Sequence, residues 1–248
     1  GVSAAIAKRV AVCTKRLPEA ELYARSLAQR DISVITRYDS PYPHRLFELN
    51  DPPLMLFARG RMIDADKKTI ALVGAEQATN DGIEVTSRLA KAFADTGVQV
   101  ISSLIGGISA AAHLAVKEAV SASFAVIDSG FDSLANSDEM PLAIDIAVSG
   151  GVISEFLPEN VATPENLAQS NRLLVGLANA VVFTELYKDS RRGIDLLEFC
   201  SQNGQLIFFF VNPDLGALSD EPTLKQAVDN GAIVMQGHGS ISDIVKSA

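Results

Sequence analysis

From residue 69 onward, short apolar runs alternate with longer stretches in which apolar positions recur at helical spacing. The runs are Ile70–Val73, Val98–Ile101, Phe124–Ile127, Gly151–Ile153, Ala180–Thr184, Leu206–Val211 and Ala232–Met235. They are apolar throughout rather than alternating, the pattern of strands covered on both faces. Helical patterns fill several of the intervals, over 82–95, 108–120, 170–179, 191–203 and 222–230. The alternation predicts an α/β fold built on a doubly wound, mainly parallel sheet, with ligands at the carboxyl ends of its strands.

Upstream the rhythm differs. Residues 3–30 read as helical, with Pro18-Glu19-Ala20-Glu21 suited to a first helical turn. Ile32–Thr36 reads as extended, a turn-rich stretch carries Pro41 and Pro43, and Asp51-Pro52-Pro53 precedes a second apolar run, Leu54–Phe57, closed by Arg59-Gly60-Arg61. These prolines exclude a continuous helix. The expected division is a small N-terminal helical segment, residues 1–30, and a domain over 31–248. Gly1 has no Met before it, as in a cleaved tag or a piece of a longer chain, and no signal peptide is recognisable.

The chain has 248 residues, enough to bury a core without disulfides or metal. No apolar run approaches about 18 residues, so no membrane span is expected. Two cysteines, Cys13 and Cys200, exclude a disulfide scaffold and a four-cysteine zinc site. Charge changes the picture more. The net value is −9, divided into +4 over residues 1–68 and −13 over residues 69–248. The larger part is a poor general partner for nucleic acid, whose phosphates supply most non-specific affinity.

Five loops at predicted strand ends carry candidate chemistry. The first runs from Val73 through Gly74, Glu76 and Thr79 to Gly82. Gly74 permits a tight strand-to-helix turn, Thr79 suits a helix cap, and amides there suit a phosphate. The spacing is not G-x-G-x-x-G, and an ordinary β–α turn is the alternative. The second holds Ser102, Ser103, Gly106 and Gly107, a possible anion cradle, with His113 on the following helix. His113 also reads as a partly buried helix residue with a satisfied hydrogen bond. A third loop carries Gly150 to Pro158. The fourth holds Asn171 and Arg172, placed at a predicted helix start against the dipole, where Arg172 suits a phosphate or an internal pair with Glu155 or Glu185. The fifth holds Lys188, Arg191 and Arg192, the densest basic cluster of residues 69–248, or else a solvated helix start. No nucleophile–base set emerges: Cys200 falls in an apolar helical pattern, and His44 and His238 have no evident partner. No catalytic residue, metal ligand or cofactor is expected.

Read together, these segments resemble the DNA-processing protein A (DprA, also called Smf) family, from about residue 30 to residue 235. Tyr42-Pro43-His44-Arg45-Leu46 is similar to its Y-P-x-x-L, and Asp51-Pro52-Pro53 through Gly60 to its D-P-P-x-x-L-(F/Y)-x-x-G. Val73-Gly74-Ala75-Glu76 through Gly82 resembles V-G-S-R-x-x-T-x-x-G. Ser102 through His113 resembles S-G-x-A-x-G-I-D-x-x-A-H. Ser154-Glu155-Phe156-Leu157-Pro158 resembles S-E-x-P with one extra residue, and Ser170-Asn171-Arg172 through Leu177 resembles R-N-R-x-(I/L)-x-G-L. Glu76, Ser109 and Ser170 stand where the family motifs have Arg, Asp and Arg, and Ser190-Arg191-Arg192-Gly193 departs from the family's S-G-x-(L/M)-x-T-A.

The resemblance implies an extended Rossmann-like fold that binds single-stranded DNA. It implies a cytoplasmic, non-catalytic homodimer that protects incoming DNA in natural transformation and assists loading of the RecA recombinase. The matching phosphate-binding positions are Gly74, Thr79, Ser102, Gly106, Gly107, His113, Asn171 and Arg172, with Lys188, Arg191 and Arg192 as added counter-charges. Losing arginines at positions 76 and 170 removes charge-assisted contacts, at a cost of several kcal/mol of affinity. A second reading keeps the loops but gives them a small nucleotide or phosphate ligand, in a sensor or enzyme. A third is a protein-binding relative without a ligand.

Overall fold

The computed structural model describes residues 3–211, 219–236 and 240–248. Among the described residues it is an α/β protein with one sheet of nine strands. The strands are β1 (Ser33–Thr36), β2 (Met55–Gly60), β3 (Thr69–Val73), β4 (Gln99–Ser103), β5 (Ser123–Val126), β6 (Gly151–Ser154), β7 (Ala180–Phe183), β8 (Ile207–Val211) and β9 (Ile233–Gln236), in the order β1-β2-β6-β5-β4-β3-β7-β8-β9. From β6 to β9 every pairing is parallel, and β2 and β1 are added antiparallel at one edge. The expected doubly wound, mainly parallel sheet is what the chain forms. The chain winds outward from β3 through β4, β5 and β6, then returns to the other side of β3 with β7. The strand order therefore reverses at β3, where such sheets open a crevice.

All five residues of β3 and of β8 are buried, because helices cover both faces. Side chains alternate between the faces. Ile70 and Leu72 pack with Val85, Leu89 and Phe93 of α3 (Asn80–Asp95) and with Val116 of α4 (Ile108–Glu118). Ala71 and Val73 face Leu173 and Leu177 of α7 (Pro164–Leu177) and Leu197 of α8 (Arg191–Gln202). A third cluster joins Leu27, Ile32 and Phe57 to Phe131 of α5 (Phe131–Leu134) and Ile146 of α6 (Met140–Ser149). Cys200 lies in the α8 core, and burial pushes its thiol up to about 12. No helix of the described residues is long and apolar enough to cross a membrane.

Residues 3–30 form two helices, α1 (Ala4–Lys15) and α2 (Leu17–Ala28), with Pro18 in the first turn of the second, as its sequence suggests. Two differences from the sequence expectation bear on the site. Helix α7 begins at Pro164, capped by Thr163, not near residue 170. Arg172 is thus a mid-helix residue, and the argument from an arginine opposing a helix dipole falls away. Finally, β4 runs on through Ser103, so Ser102 is a strand residue rather than part of a loop.

Candidate functional site

The loops after β3, β4 and β7 meet at the strand-order reversal and are joined backbone to backbone. Ala75 N donates to the Glu185 carbonyl at 2.8 Å, and Ile108 N to the Ala75 carbonyl at 3.0 Å. Glycine is required where these backbones touch. A Cβ on Gly74 would lie 2.4 Å from the Glu185 carbonyl oxygen, and one on Gly107, whose φ is +63°, would lie 2.2 Å from that of Ala75. Above them, a cavity of about 270 Å³ opens at the carboxyl ends of β3, β4 and β5. Gly74, Gly106, Asn171 and Arg192 line it; these are the sequence-predicted residues that the fold gathers there.

The start of α3 is already occupied by a carboxylate of the chain itself. Thr79 caps the helix, its Oγ1 accepting from Gly82 N at 3.0 Å. Glu185, fully buried after β7, accepts from Thr79 N at 3.0 Å and from the Tyr187 hydroxyl. Burial, reinforced by that carboxylate, pushes the Tyr187 phenol up to about 12. A Cβ on Gly82 would lie 1.8 Å from Glu185 Oε2, so the glycine makes room for the carboxylate. The Thr79 amide, read from the sequence as part of a phosphate cradle, thus holds an internal carboxyl group at the helix start.

The cations are likewise engaged. Arg192 Nε lies 3.2 Å from Glu76 and its Nη1 lies 3.1 Å from Asp128. With Glu139 also on the wall, the lining carries three carboxylates and one guanidinium. Arg172 pairs with Glu155, one of the two internal partners read from the sequence, and its Nη1 lies 3.9 Å from Asp51. Burial pushes the Glu155 carboxyl up against the pull of Arg172. Lys188 is exposed, and its amide donates to Asp220 at 3.0 Å. The side chain of Arg191 and the whole of His238 lie outside those described.

His113 is fully buried behind the crevice. Its Nε2 donates to the Ser103 carbonyl at 3.0 Å, so Nδ1 accepts from the Ser123 hydroxyl at 3.1 Å. Both ring nitrogens are used inside the protein, and burial lowers the pKa to about 4. Ser102 is buried as well, its hydroxyl donating to the Leu72 carbonyl. Sequence reasoning missed Asp128 and Glu139 as cavity walls. Asp128 does follow the β5 run, the position from which a crevice residue is expected. Glu139 lies in a connection that carries no such signal.

The family model for DNA recombination-mediator protein A matches residues 33–244. The DNA processing protein DprA of Bacillus subtilis is 29% identical over 158 residues, covering 63% of this chain and 53% of the relative. The chain spans about half the length of the curated relatives it matches. The X-ray structure of DprA from Streptococcus pneumoniae superposes with a TM-score of 0.72 at 23% identity, covering 85% of this chain and 74% of that one. A DNA processing protein A structure from Helicobacter pylori, described for its single-stranded DNA binding mode, gives 0.71 at 17% identity, covering 87% and 94%. At these identities the superpositions establish a shared fold.

Proposed function

The chain belongs to the DNA recombination-mediator protein A family, and on that premise we propose that it binds single-stranded DNA in transformation and recombination. It protects incoming DNA and assists loading of the RecA recombinase, as a cytoplasmic homodimer without catalysis of its own. The observation that carries this reading is the family match across residues 33–244, nearly the whole domain. The crevice charges modify it. With Arg192 held between Glu76 and Asp128 and Arg172 paired with Glu155, few of the described candidate cations remain free for phosphate at the strand ends. DNA binding is therefore expected to be weak and only shallowly dependent on salt, since the salt slope counts neutralised phosphates. Titration of labelled oligo-dT at low and moderate salt tests this. Saturable binding at low salt supports it; no binding there overturns it.

The cavity of about 270 Å³ favours a second reading, a small nucleotide ligand. Its carboxylates suit the amino groups and hydroxyls of a base or sugar better than a phosphate. A nucleotide held at about 100 times its Kd adds about 2.7 kcal/mol to stability. A thermal-shift screen in which no nucleotide moves the melting curve removes this reading.

A further inference from the structure

We propose that Arg37, Tyr38, His44 and Phe47 form a base-stacking platform through which this chain holds single-stranded DNA. The proposal rests on the DNA-binding reading and says where a strand is held although the crevice is acidic. The rings come from two neighbouring pieces of chain, the turn after β1 and the short helix η1 (His44–Glu48).

The Arg37 guanidinium lies 5.3 Å from the Phe47 ring centroid and 6.0 Å from that of Tyr38, so one cation serves two rings. His44 stands 6.0 Å from Phe47 at an interplanar angle of 36°. The surface is backed rather than loose. Buried Tyr42 packs against Phe47 at 5.2 Å and donates its hydroxyl to the Pro53 carbonyl at 2.7 Å. Asp39 turns back to accept from Thr36 N at 2.7 Å and Thr36 Oγ1 at 2.8 Å, fixing the turn that carries Arg37 and Tyr38 outward. Tyr38 is 90% exposed and Phe47 40%.

Asp39 is committed to Thr36, and Asp51 lies toward Arg172, while Glu48 is exposed. Local charge is close to balanced, so attraction here comes from stacking and cation–π contact, which every base can supply. Helix α7 connects the platform's helix to the crevice wall. Helix α7 packs on η1, where a Cβ on Gly176 would lie 3.0 Å from the Leu46 side chain, and Asn171 of the same helix lines the cavity.

The chain has no tryptophan, so Y38W supplies a single reporter on the intact protein. Tyr38 is nearly bare, and its variants leave the core untouched. Oligo-dT is expected to bind Y38A about tenfold more weakly than wild type, with Y38F restoring most of the affinity. Y38W emission is expected to fall on adding oligo-dT and to stay unchanged with an abasic oligomer of equal length. If wild type binds oligo-dT, Y38A binds equally well and Y38W is not quenched, the platform is overturned while the DNA-binding reading stands; the rings then fit a protein partner. If wild type fails to bind oligo-dT at low salt, both fall.

Discussion

Arg192 spends its charge within the protein, on Glu76 and Asp128. Glu76→Arg would reverse a charge at the crevice and free one side of Arg192. A single added charge-assisted contact is worth about 1.5 kcal/mol, so oligo-dT binding at low salt should tighten by about tenfold and become more salt-dependent. Unchanged anisotropy titrations would place the strand away from the crevice. His113 makes a different prediction. The native state holds it neutral, with a pKa near 4, whereas the unfolded chain takes up the proton near 6.5. Its contribution to stability is whole above the unfolded value and is lost as pH falls toward 4, by up to about 3 kcal/mol. The urea midpoint of wild type should therefore fall more steeply than that of His113→Gln between about pH 7 and pH 5. Parallel curves would show that the native ring takes up its proton at the same pH as the unfolded chain. The sequence offered His113 both as a crevice residue and as a partly buried helix residue with a satisfied hydrogen bond; the fold takes the second and buries it fully, which helix periodicity alone does not settle because it places a residue on a face without saying what covers that face.

Elements were legible where local pattern settles them. The apolar runs became β3 to β9 within a residue or two; in β3 to β8 residues covered on both faces must be apolar whatever their partners, whereas edge strand β9 leaves Ile233 and Val234 exposed against that expectation. Helix α7 was misplaced at its start because Pro164 and Glu165 look like loop residues until Thr163 is seen accepting from Asn166 N at 3.2 Å. The start of α3 joins two elements remote in sequence. Glu185→Ala should leave the Thr79 amide and the Tyr187 hydroxyl without their acceptor and cost at least about 2 kcal/mol in urea denaturation. Glu185→Gln keeps one acceptor and should cost less; equal losses would show that charge rather than hydrogen bonding matters there. Gly107→Ala puts a Cβ on a positive φ and against the Ala75 carbonyl, and should cost about 3 kcal/mol or more.

Over the whole molecule the charge is divided, +4 on residues 1–68 against −13 on residues 69–248. The proposed division of the chain at residue 30 meets a tie across it. Leu27 is buried in the same cluster as Ile32, and the Tyr23 hydroxyl donates to Glu159 at 2.8 Å. Helix α1 carries exposed Ile6 and Val12. Brief trypsin digestion should cut at Lys15 or Arg16 before Arg30, leaving α2 on the domain; a first cut at Arg30 supports separation at residue 31. By itself the sequence determined the fold class, the strand order along the chain and the family, because strand and helix periods and backbone-limited glycines are written locally. Only the tertiary structure decided which charges remain available. Arg192 meets Glu76 and Asp128, Arg172 meets Glu155, and Glu185 fills the start of α3, because Coulomb and hydrogen-bond energies depend on distances between loops that come from different strands of the sheet.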